Sequence, residues 1–341
     1  MKFNWTWSPA TAWACRKADR MDFQLTEDQQ ALVAALQPIL QDFAELPQSE
    51  RFSYAFYHAA LQDVLAESGF LDAAHDIGAL EAALVVAEAG KLPVMVETSG
   101  TALVAPMTCP EERLPGPVAL VDGRFPDRAH RNLPIARTAL VDLGEDVAVL
   151  QITPGMVTPV DSIYAYPYGR FVTRPDFSAA RILPGRGHAM RQWWRIAIAL
   201  EIAAASTAAI DFTIDYVTQR KVFGRPVGSF QAVQHRLVQC KAFAMATHYL
   251  ALRAAWSQTS VDADFAACHA QQGVKKLLFD FHQFHGGMGV TTEHLLHFWT
   301  YRIRALQAEA GGVYAAGQTI ADQLWPSSPG SRESESHVRA A

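Results

Sequence analysis

Charged residues are scarce in this sequence, and neither sign dominates them. Only 18% of the 341 residues are Asp, Glu, Lys or Arg, and 29 basic against 34 acidic residues give a formal net charge of −5. Proteins that coat nucleic acid usually carry a basic excess, so we expect no nucleic-acid partner. Half of the residues are hydrophobic, which argues against wholesale disorder and can fill a core of two or three packed units.

Cysteine is also scarce. The four cysteines, Cys15, Cys109, Cys240 and Cys268, lie far apart and form no C-x-x-C pair. Structural zinc and iron–sulfur sites need clustered ligands, so we expect neither. Isolated thiols of this kind are typical of a reducing compartment, and the expected location is the cytoplasm.

Long apolar runs are missing as well. No stretch of about twenty uninterrupted apolar residues occurs, so we expect no membrane span. Residues 1–20 contain three tryptophans but lack the continuous apolar region of a signal peptide. We predict that they form a loose, dispensable extension, with the natural start at either Met1 or Met21. Residues 326–341 are polar and of low complexity, and we predict a disordered tail there.

Helix-forming patterns fill most of the chain and are interrupted once. Ala and Leu dominate residues 21–110, where Thr26 and Gln29 have the spacing of a capping box before an apolar stripe of helical period. We predict a helical domain there. Proline, glycine and β-branched residues take over in residues 111–185, which we predict to form a small β-domain. Residues 186–325 return to the helical pattern.

Within these domains the patterns predict individual elements. The predicted helices span residues 26–43, 52–68, 77–88, 190–220, 230–258, 262–284 and 293–324, and the predicted strands span residues 118–121, 147–152 and 171–173. The last four helices are long and closely connected, which suggests an antiparallel bundle. The sequence therefore predicts an α+β fold with an N-terminal helical domain, a small middle β-domain and a C-terminal four-helix bundle.

Two glycine-containing segments interrupt the predicted bundle. The first contains Arg220, Phe223, Gly224 and Gln231, and the second contains Gln283, Gly286, Gly287 and Gly289. They match R-x-x-F-G with a Gln eleven residues after the Arg, and Q-x-x-G-G-x-G. In these motifs, in their order and in the helical–β–helical arrangement around them, residues 21–324 resemble the acyl-CoA dehydrogenase family.

The resemblance implies that the motifs bind FAD. By it, the cofactor-binding residues are Arg220, Phe223, Gln231, Gln283, Gly286 and Gly287. The residue types suit this role, because guanidinium pairs with pyrophosphate, glycine admits a phosphate close to the backbone, and glutamine offers both donors and acceptors to adenosine. In the family these residues mostly reach into the FAD site of a neighbouring subunit. The resemblance therefore also implies an oligomer, an acyl-CoA substrate and electron-transfer flavoprotein as electron acceptor.

Two elements of the family pattern are missing. The family's β-domain begins with a stretch like T-E-P-x-A-G-S-D, which residues 119–129 do not match, so we expect the chain to hold its own flavin poorly or not at all. The family's catalytic base is a Glu that falls on Ala310 by an ungapped count, one residue from Glu309. Some relatives place the base near the position of Trp194, where no carboxylate occurs and Glu201 lies two turns away.

Three functional interpretations are open at this point. In the first, the chain is a subunit of an FAD-dependent acyl-CoA dehydrogenase that completes the FAD site of a homologous partner, as in heteromeric members that act on steroid side-chain CoA thioesters. In the second, it is a homomeric acyl-CoA dehydrogenase with Glu309 as catalytic base. In the third, it is a non-catalytic scaffold or regulatory subunit. The pair His282 and His285 also allows a metal interpretation, but the surrounding Gln and Gly residues favour the flavin motif, and we predict no metal.

Overall fold

The computed structural model describes residues 21–177 and 180–325. The predicted N-terminal extension and C-terminal tail lie outside these residues. In the described chain, one helical unit precedes a small β unit and a second helical unit follows it. The predicted α+β fold class is thereby confirmed.

The N-terminal unit is built from short helices around a capped first helix. They are α1 (Glu27–Asp42), α2 (Ala59–Glu67), α3 (Ala73–Asp76), α4 (Ala79–Ala89) and α5 (Ala105–Thr108), with a π-helical turn over Ser99–Val104. The predicted capping box is present: the Thr26 hydroxyl accepts a hydrogen bond from the Gln29 backbone N–H, and the Gln29 side chain accepts one from the Thr26 N–H. The chain therefore enters α1 with its first donors satisfied.

The second helix begins later than the sequence pattern predicts. We expected it to start at Phe52, but α2 starts at Ala59. The backbone before it is committed elsewhere, because the Met95 N–H donates to the Phe56 carbonyl and the His58 N–H donates to the Met95 carbonyl. These long-range bonds exclude a helix, and His58 Nδ1 then caps α2.

The middle unit contains two small sheets. Its strands are β1 (Val118–Asp122), β2 (His130–Arg131), β3 (Thr138–Asp142), β4 (Val147–Gln151), β5 (Val157–Val160), β6 (Tyr168–Phe171) and β7 (Arg181–Leu183). One sheet has the order β1-β3-β4-β7 with β1 and β3 parallel, and the other has the order β2-β6-β5. The sequence pattern identified β1 and β4, placed β6 three residues late, and missed the other four strands. Runs of two to five residues are too short for alternation to stand out.

The C-terminal unit consists of three long helices and two shorter ones. They are α6 (Gly187–Gln219), α7 (Gln231–Ser257), α8 (Ser260–His285), α9 (Leu296–Leu306) and α10 (Gly312–Leu324). The single last helix predicted over residues 293–324 is wrong. Between α9 and α10, Ala310, Gly311 and Gly312 have φ angles of 51°, 84° and 64°, which no right-handed helix contains.

Helix α6 runs through the middle of the core. It packs against α4, α7, α8 and α9, and most of its residues between Met190 and Ile210 are buried. By length and composition alone, it is apolar enough to cross a membrane. However, 78% of its most apolar window is buried inside the protein, and the core helix of a soluble protein meets the same criteria.

Gly273 marks a close approach of α8 to α7. A Cβ added there would overlap the ring of Phe243. We expect Gly273→Ala to destabilise the protein by about 1–3 kcal/mol, because overpacking outweighs the helix-propensity gain of about 1 kcal/mol. Thermal unfolding measures the effect. The matched control is Gly317→Ala on α10, where an added Cβ meets nothing within 4 Å, so its Tm should stay unchanged or rise. Equal responses of the two variants would contradict this packing.

Candidate functional site

The two motif segments lie at the same end of the helical bundle. A small apolar cluster joins them: Val217 near the end of α6, Leu237 near the start of α7 and Phe284 near the end of α8 are all buried together. Because α6 and α8 end here and α7 begins here, the packing of these three helices brings the two segments side by side.

Polar contacts fix the end of α8 against α6. The Tyr216 hydroxyl donates to the backbone carbonyl of His285 at 3.3 Å, and the two rings stack with centroids 4.3 Å apart. His285 Nε2 lies 3.0 Å from the Thr213 hydroxyl. His282 Nδ1 lies 2.7 Å from the Gly289 carbonyl, so this histidine supports the glycine-rich turn.

The first motif folds as a tight hairpin. Strands β8 (Lys221–Val222) and β9 (Arg225–Pro226) pair around Phe223 and Gly224, whose φ angles are 53° and 77°. Two-residue hairpin loops of this type need positive φ at both positions, which a bulky residue adopts only at a cost. The Phe223 side chain is nonetheless 92% exposed. An aromatic side chain held outward on a rigid hairpin is suited to contact another molecule.

The other predicted cofactor-binding residues are accessible. Arg220, Gln231, Gln283, Gly286 and Gly287 are all exposed. Within residues 21–177 and 180–325, the Arg220 guanidinium makes no ion pair, so it can bind an external anion. A Cβ added at Gly286 or Gly287 meets nothing within 4 Å, and Gly286 has a φ of 59°, which favours glycine. The backbone of this turn therefore faces open space.

A groove of about 630 Å³ opens beside the second motif. Gln283, Gly286 and Tyr301 line one part of it, and Ile163 and Tyr164 of the β unit line another. Ligand sites commonly have volumes of about 300–1,000 Å³. Together with an unpaired guanidinium and exposed backbone, this groove fits part of an extended dinucleotide. The assignment of the motif residues to FAD stays a prediction.

A second cluster is buried between the β unit and the bundle, with Arg131 of β2 at its centre. Arg131 Nη1 donates to both oxygens of Glu201 at 3.0 and 2.7 Å, and its Nε and Nη2 donate to Glu309 at 2.8 and 3.1 Å. Its guanidinium lies 4.6 Å from the ring centre of Tyr166, whose hydroxyl donates to Glu201 at 2.6 Å. Although burial opposes it, the two carboxylates raise the pKa of Arg131 well above its usual value.

Two residues near the predicted base positions meet in this cluster: Glu309, the neighbour of Ala310, and Trp194. Trp194 Nε1 donates to Glu309 Oε2 at 3.2 Å. Glu201, two turns away on α6, belongs to the same cluster because Arg131 spans the distance between the two carboxylates. The Glu309 side chain is 15% exposed and accepts hydrogen bonds from both Arg131 and Trp194. Both oxygens of the Glu309 carboxylate are thus engaged by donors of the same chain.

The turn that carries Glu309 explains how its side chain reaches this place. Residues 309–311 form a turn in which Ala310 has a φ of 51°, and not the α-helix assumed from the sequence. A helical offset of one residue therefore does not decide where the Glu309 side chain points. Gln271 on α8 holds the turn from behind, since its Nε2 donates to the carbonyls of Leu306 and Glu309 at 2.9 and 3.0 Å.

Little space remains inside the buried cluster. Two voids of about 20 and 10 Å³ border Glu97 and Asn132, each with room for about one water molecule. The Asn132 Oδ1 atom is buried without a hydrogen-bond partner in the described part of the chain, so we expect an ordered water there. Burial raises the pKa of Glu97. No thioester fits into voids of this size.

Sequence reasoning missed Arg131 and set Glu201 aside. Arg131 belongs to no motif, and nothing in the sequence shows that this arginine is buried. The position of Arg131 follows from the pairing of β2 with β6, and a two-residue strand is too short to be predicted from the sequence. As for metals, residues 21–177 and 180–325 contain no group of three or more His, Cys, Asp or Glu side chains that could hold a metal ion.

The fold and the bundle end define a class of protein: a helical domain, a small β unit and a helical bundle that carries R-x-x-F-G and Q-x-x-G-G-x-G at one end. The family model for the acyl-CoA dehydrogenase C-terminal domain matches residues 189–324. The chain is also 31% identical over 107 residues to acyl-CoA dehydrogenase IpdE2 of Mycobacterium tuberculosis. That match covers 31% of this chain and 34% of the relative, so it spans about a third of the relative's length.

Solved structures extend the likeness over most of the chain. A chain of the ChsE4–ChsE5 complex from Mycobacterium tuberculosis matches with a TM-score of 0.74 at 20% identity, covering 90% of this chain and 100% of the other. The Tcur3481–Tcur3483 steroid ACAD G363A variant matches with a TM-score of 0.72 at 21% identity, covering 87% and 98%. At these identities the structures show the shared fold. Residues 189–324 thus match the acyl-CoA dehydrogenase C-terminal domain, and the solved structures show a shared fold over most of the chain.

His285 makes the stability of the motif end depend on pH. Burial, with His294 and His282 nearby, lowers the pKa of His285 from 6.5 to about 3. Between these values the unfolded chain binds a proton that the folded chain does not, so stability is full above pH 6.5 and falls as the pH drops toward 3. This one group contributes up to about 1.4 kcal/mol per pH unit.

We expect His285→Gln to flatten the plot of Tm against pH between about pH 4 and 6.5, because the variant lacks this buried imidazole. Thermal unfolding at a series of pH values measures the slope. Thr213→Val is the matched control, since it removes the hydrogen bond but keeps the imidazole, and it should retain the wild-type slope. An unchanged slope in His285→Gln would show that this histidine is not neutral in the fold.

Proposed function

We propose that this chain is a subunit of an FAD-dependent acyl-CoA dehydrogenase and that it completes the FAD site of a homologous partner subunit. The reaction introduces an α,β double bond into an acyl-CoA thioester. Bound FAD supplies the acceptor for the hydride that leaves Cβ. The observation that carries the proposal is a contrast between two sites. The predicted cofactor-binding residues at the bundle end are exposed, while Glu309, the candidate base, is mostly buried and pairs with Arg131.

The bundle end suits a cofactor held by another subunit. The Arg220 guanidinium can pair with a pyrophosphate, and the open backbone at Gly286 and Gly287 can approach it closely. Gln231 and Gln283 can bind the adenosine portion, and Phe223 can pack against the partner or the cofactor. Because all of these groups are exposed outside the chain's own core, a second subunit is needed to close the site.

Two further parts of the proposal concern substrate and partners. One similar structure is a steroid ACAD variant, and another is a complex of two chains, ChsE4 and ChsE5. These likenesses support a steroid side-chain CoA thioester as substrate and an unlike homologous subunit as partner. Electron-transfer flavoprotein is the proposed acceptor, and the cytoplasm the proposed location.

The homomeric alternative is less well supported. It requires Glu309 to act as base, and in this structure that carboxylate accepts two hydrogen bonds from Arg131. The adjacent voids of about 20 and 10 Å³ leave no room for the acyl group. A scaffold without any part in flavin binding would not need an unpaired arginine and an open glycine turn at one place.

The test of the proposal is flavin retention. We expect Arg220→Ala, in the assembly with its partner, to lose FAD on dialysis while its Tm without FAD stays within a few degrees of the wild type, because Arg220 is exposed and its loss leaves no cavity. Flavin absorbance per protein measures retention. Arg253→Ala, an exposed arginine on α7 that pairs with Asp262, is the control and should keep its flavin. Full occupancy in Arg220→Ala after dialysis would remove Arg220 from the FAD site.

A second test concerns the base. We expect Glu309→Gln to leave most of the dehydrogenase activity of the complete assembly, because the base is proposed to lie on the partner. Removal of a true general base lowers the rate by roughly 10²–10⁴-fold. Turnover of an acyl-CoA with a dye as electron acceptor is the measurement, with the exposed Glu293→Gln as control. A collapse of turnover with FAD still bound and the fold intact would restore Glu309 as the base and favour the homomeric enzyme.

A further inference from the structure

The buried cluster holds a residue to which neither the family assignment nor the motifs give a role. We propose that Arg131 closes this chain's own reaction centre by filling the space between Glu201 and Glu309 and by pairing its single positive charge with both carboxylates. The inference rests on the proposed function, because it places the turnover of the assembly in the partner's site. Arg131 is then a positioning residue and touches no substrate.

The backbone fixes the direction of the Arg131 side chain. Arg131 is the last residue of β2 and pairs with Tyr168 of β6. The next residue, Asn132, has a φ of 63° and is buried, and its N–H donates to the Pro167 carbonyl at 2.7 Å. Asparagine is one of the few residues that tolerate this conformation. The strand therefore ends in a defined turn directly after Arg131. This turn fixes the backbone from which the Arg131 side chain extends toward the bundle.

The charges of the cluster make Arg131 hard to displace. Its side chain is 7% exposed, and those of Glu201 and Glu309 are 9% and 15% exposed. The nearby buried Arg302 does not replace it, because Arg302 donates to the backbone carbonyls of Leu92 at 2.7 Å and Ala165 at 3.3 Å. Removal of Arg131 would leave two carboxylates in surroundings of low polarity, where an unpaired charge is costly.

The geometry also explains why the pairing with both Glu201 and Glu309 needs an arginine. One guanidinium reaches two carboxylates at once because Nη1 faces Glu201 while Nε and Nη2 face Glu309. A lysine ammonium is a single point charge and cannot make both paired contacts. The Trp194 indole also donates to Glu309, and the Tyr166 and Ser99 hydroxyls also donate to Glu201.

The experiment measures how accessible Glu309 is to a water-soluble reagent in the folded, full-length chain. A water-soluble carbodiimide with glycine ethyl ester modifies accessible carboxylates, and peptide mass spectrometry gives the rate at each one. In the wild type, we expect Glu309 to react at least about tenfold more slowly than the exposed Glu293, because opening of the cluster must precede reaction. In Arg131→Gln/Glu201→Gln, Glu309 should react within about threefold of Glu293, since an unpaired carboxylate draws in water.

Thermal unfolding gives an independent readout of the same pairing. Arg131→Gln alone should lower the Tm by several degrees, and the double variant should recover part of that loss, because it leaves one unpaired carboxylate and not two. Arg124→Gln is the matched control: Arg124 forms an exposed pair with Asp122, and its loss should change neither the Glu309 rate nor the Tm by more than about a degree.

Three results would overturn the inference. The first is Glu309 reacting as fast as Glu293 in the wild type, which would show an open centre. The second is Glu309 staying protected in a folded double variant. If the double variant does not fold, Arg131→Lys is used in its place. The third overturning result is then a Glu309 that is as well protected in Arg131→Lys as in the wild type. Labelling needs no flavin, so its outcome is independent of FAD retention in Arg220→Ala. If Arg220 proves not to bind FAD, the role proposed for Arg131 is unaffected. If Glu309 proves accessible, the assignment of Arg220 is unaffected.

Discussion

The burial of α6 is the constraint on which both sites depend. This 33-residue helix carries Trp194 and Glu201 in its first half and Tyr216 in its last turn, directly before Arg220. At 1.5 Å per residue, Trp194 and Arg220 lie roughly 39 Å apart along the helix. The residues in the middle of α6 are packed on several sides. The positions of both sites are therefore fixed relative to the core. One rigid helix thus holds a buried cluster near one end and an exposed motif at the other.

The buried cluster is better understood as a specific arrangement than as a source of stability. Desolvation of two carboxylates and a guanidinium is costly, and close pairing offsets that cost without a large surplus. An apolar filling of the same volume would serve stability at least as well. What the ion pairs add is a defined position for Glu309 and for the turn of positive-φ residues that follows it. The arrangement holds the Glu309 carboxylate in hydrogen bonds to Arg131 and Trp194.

The sequence allowed prediction of the fold class, the capping box of α1 and three of the long bundle helices, because these follow from local period and local polar spacing. It did not allow prediction of the start of α2, which depends on hydrogen bonds to Met95, or of the break between α9 and α10, where Ala310 adopts a left-handed conformation. The motif residues were identifiable because they recur at fixed spacing. Arg131 was not, since its role depends on partners 70 and 178 positions away in the chain.

The buried cluster and the bundle end differ in whether their polar groups have hydrogen-bond or ion-pair partners within the chain. In the buried cluster, the carboxylates of Glu201 and Glu309 are occupied by donors of the same chain, and the remaining voids hold about one water molecule each. At the bundle end, the Arg220 guanidinium has no ion-pair partner within the described chain, and Gly286 faces open space. The two carboxylates of the buried cluster already have donors within the chain, whereas unpaired groups on rigid elements are preorganised to bind a ligand. The chain therefore presents its unpaired polar groups outward, which is what the proposed completion of a partner's FAD site requires.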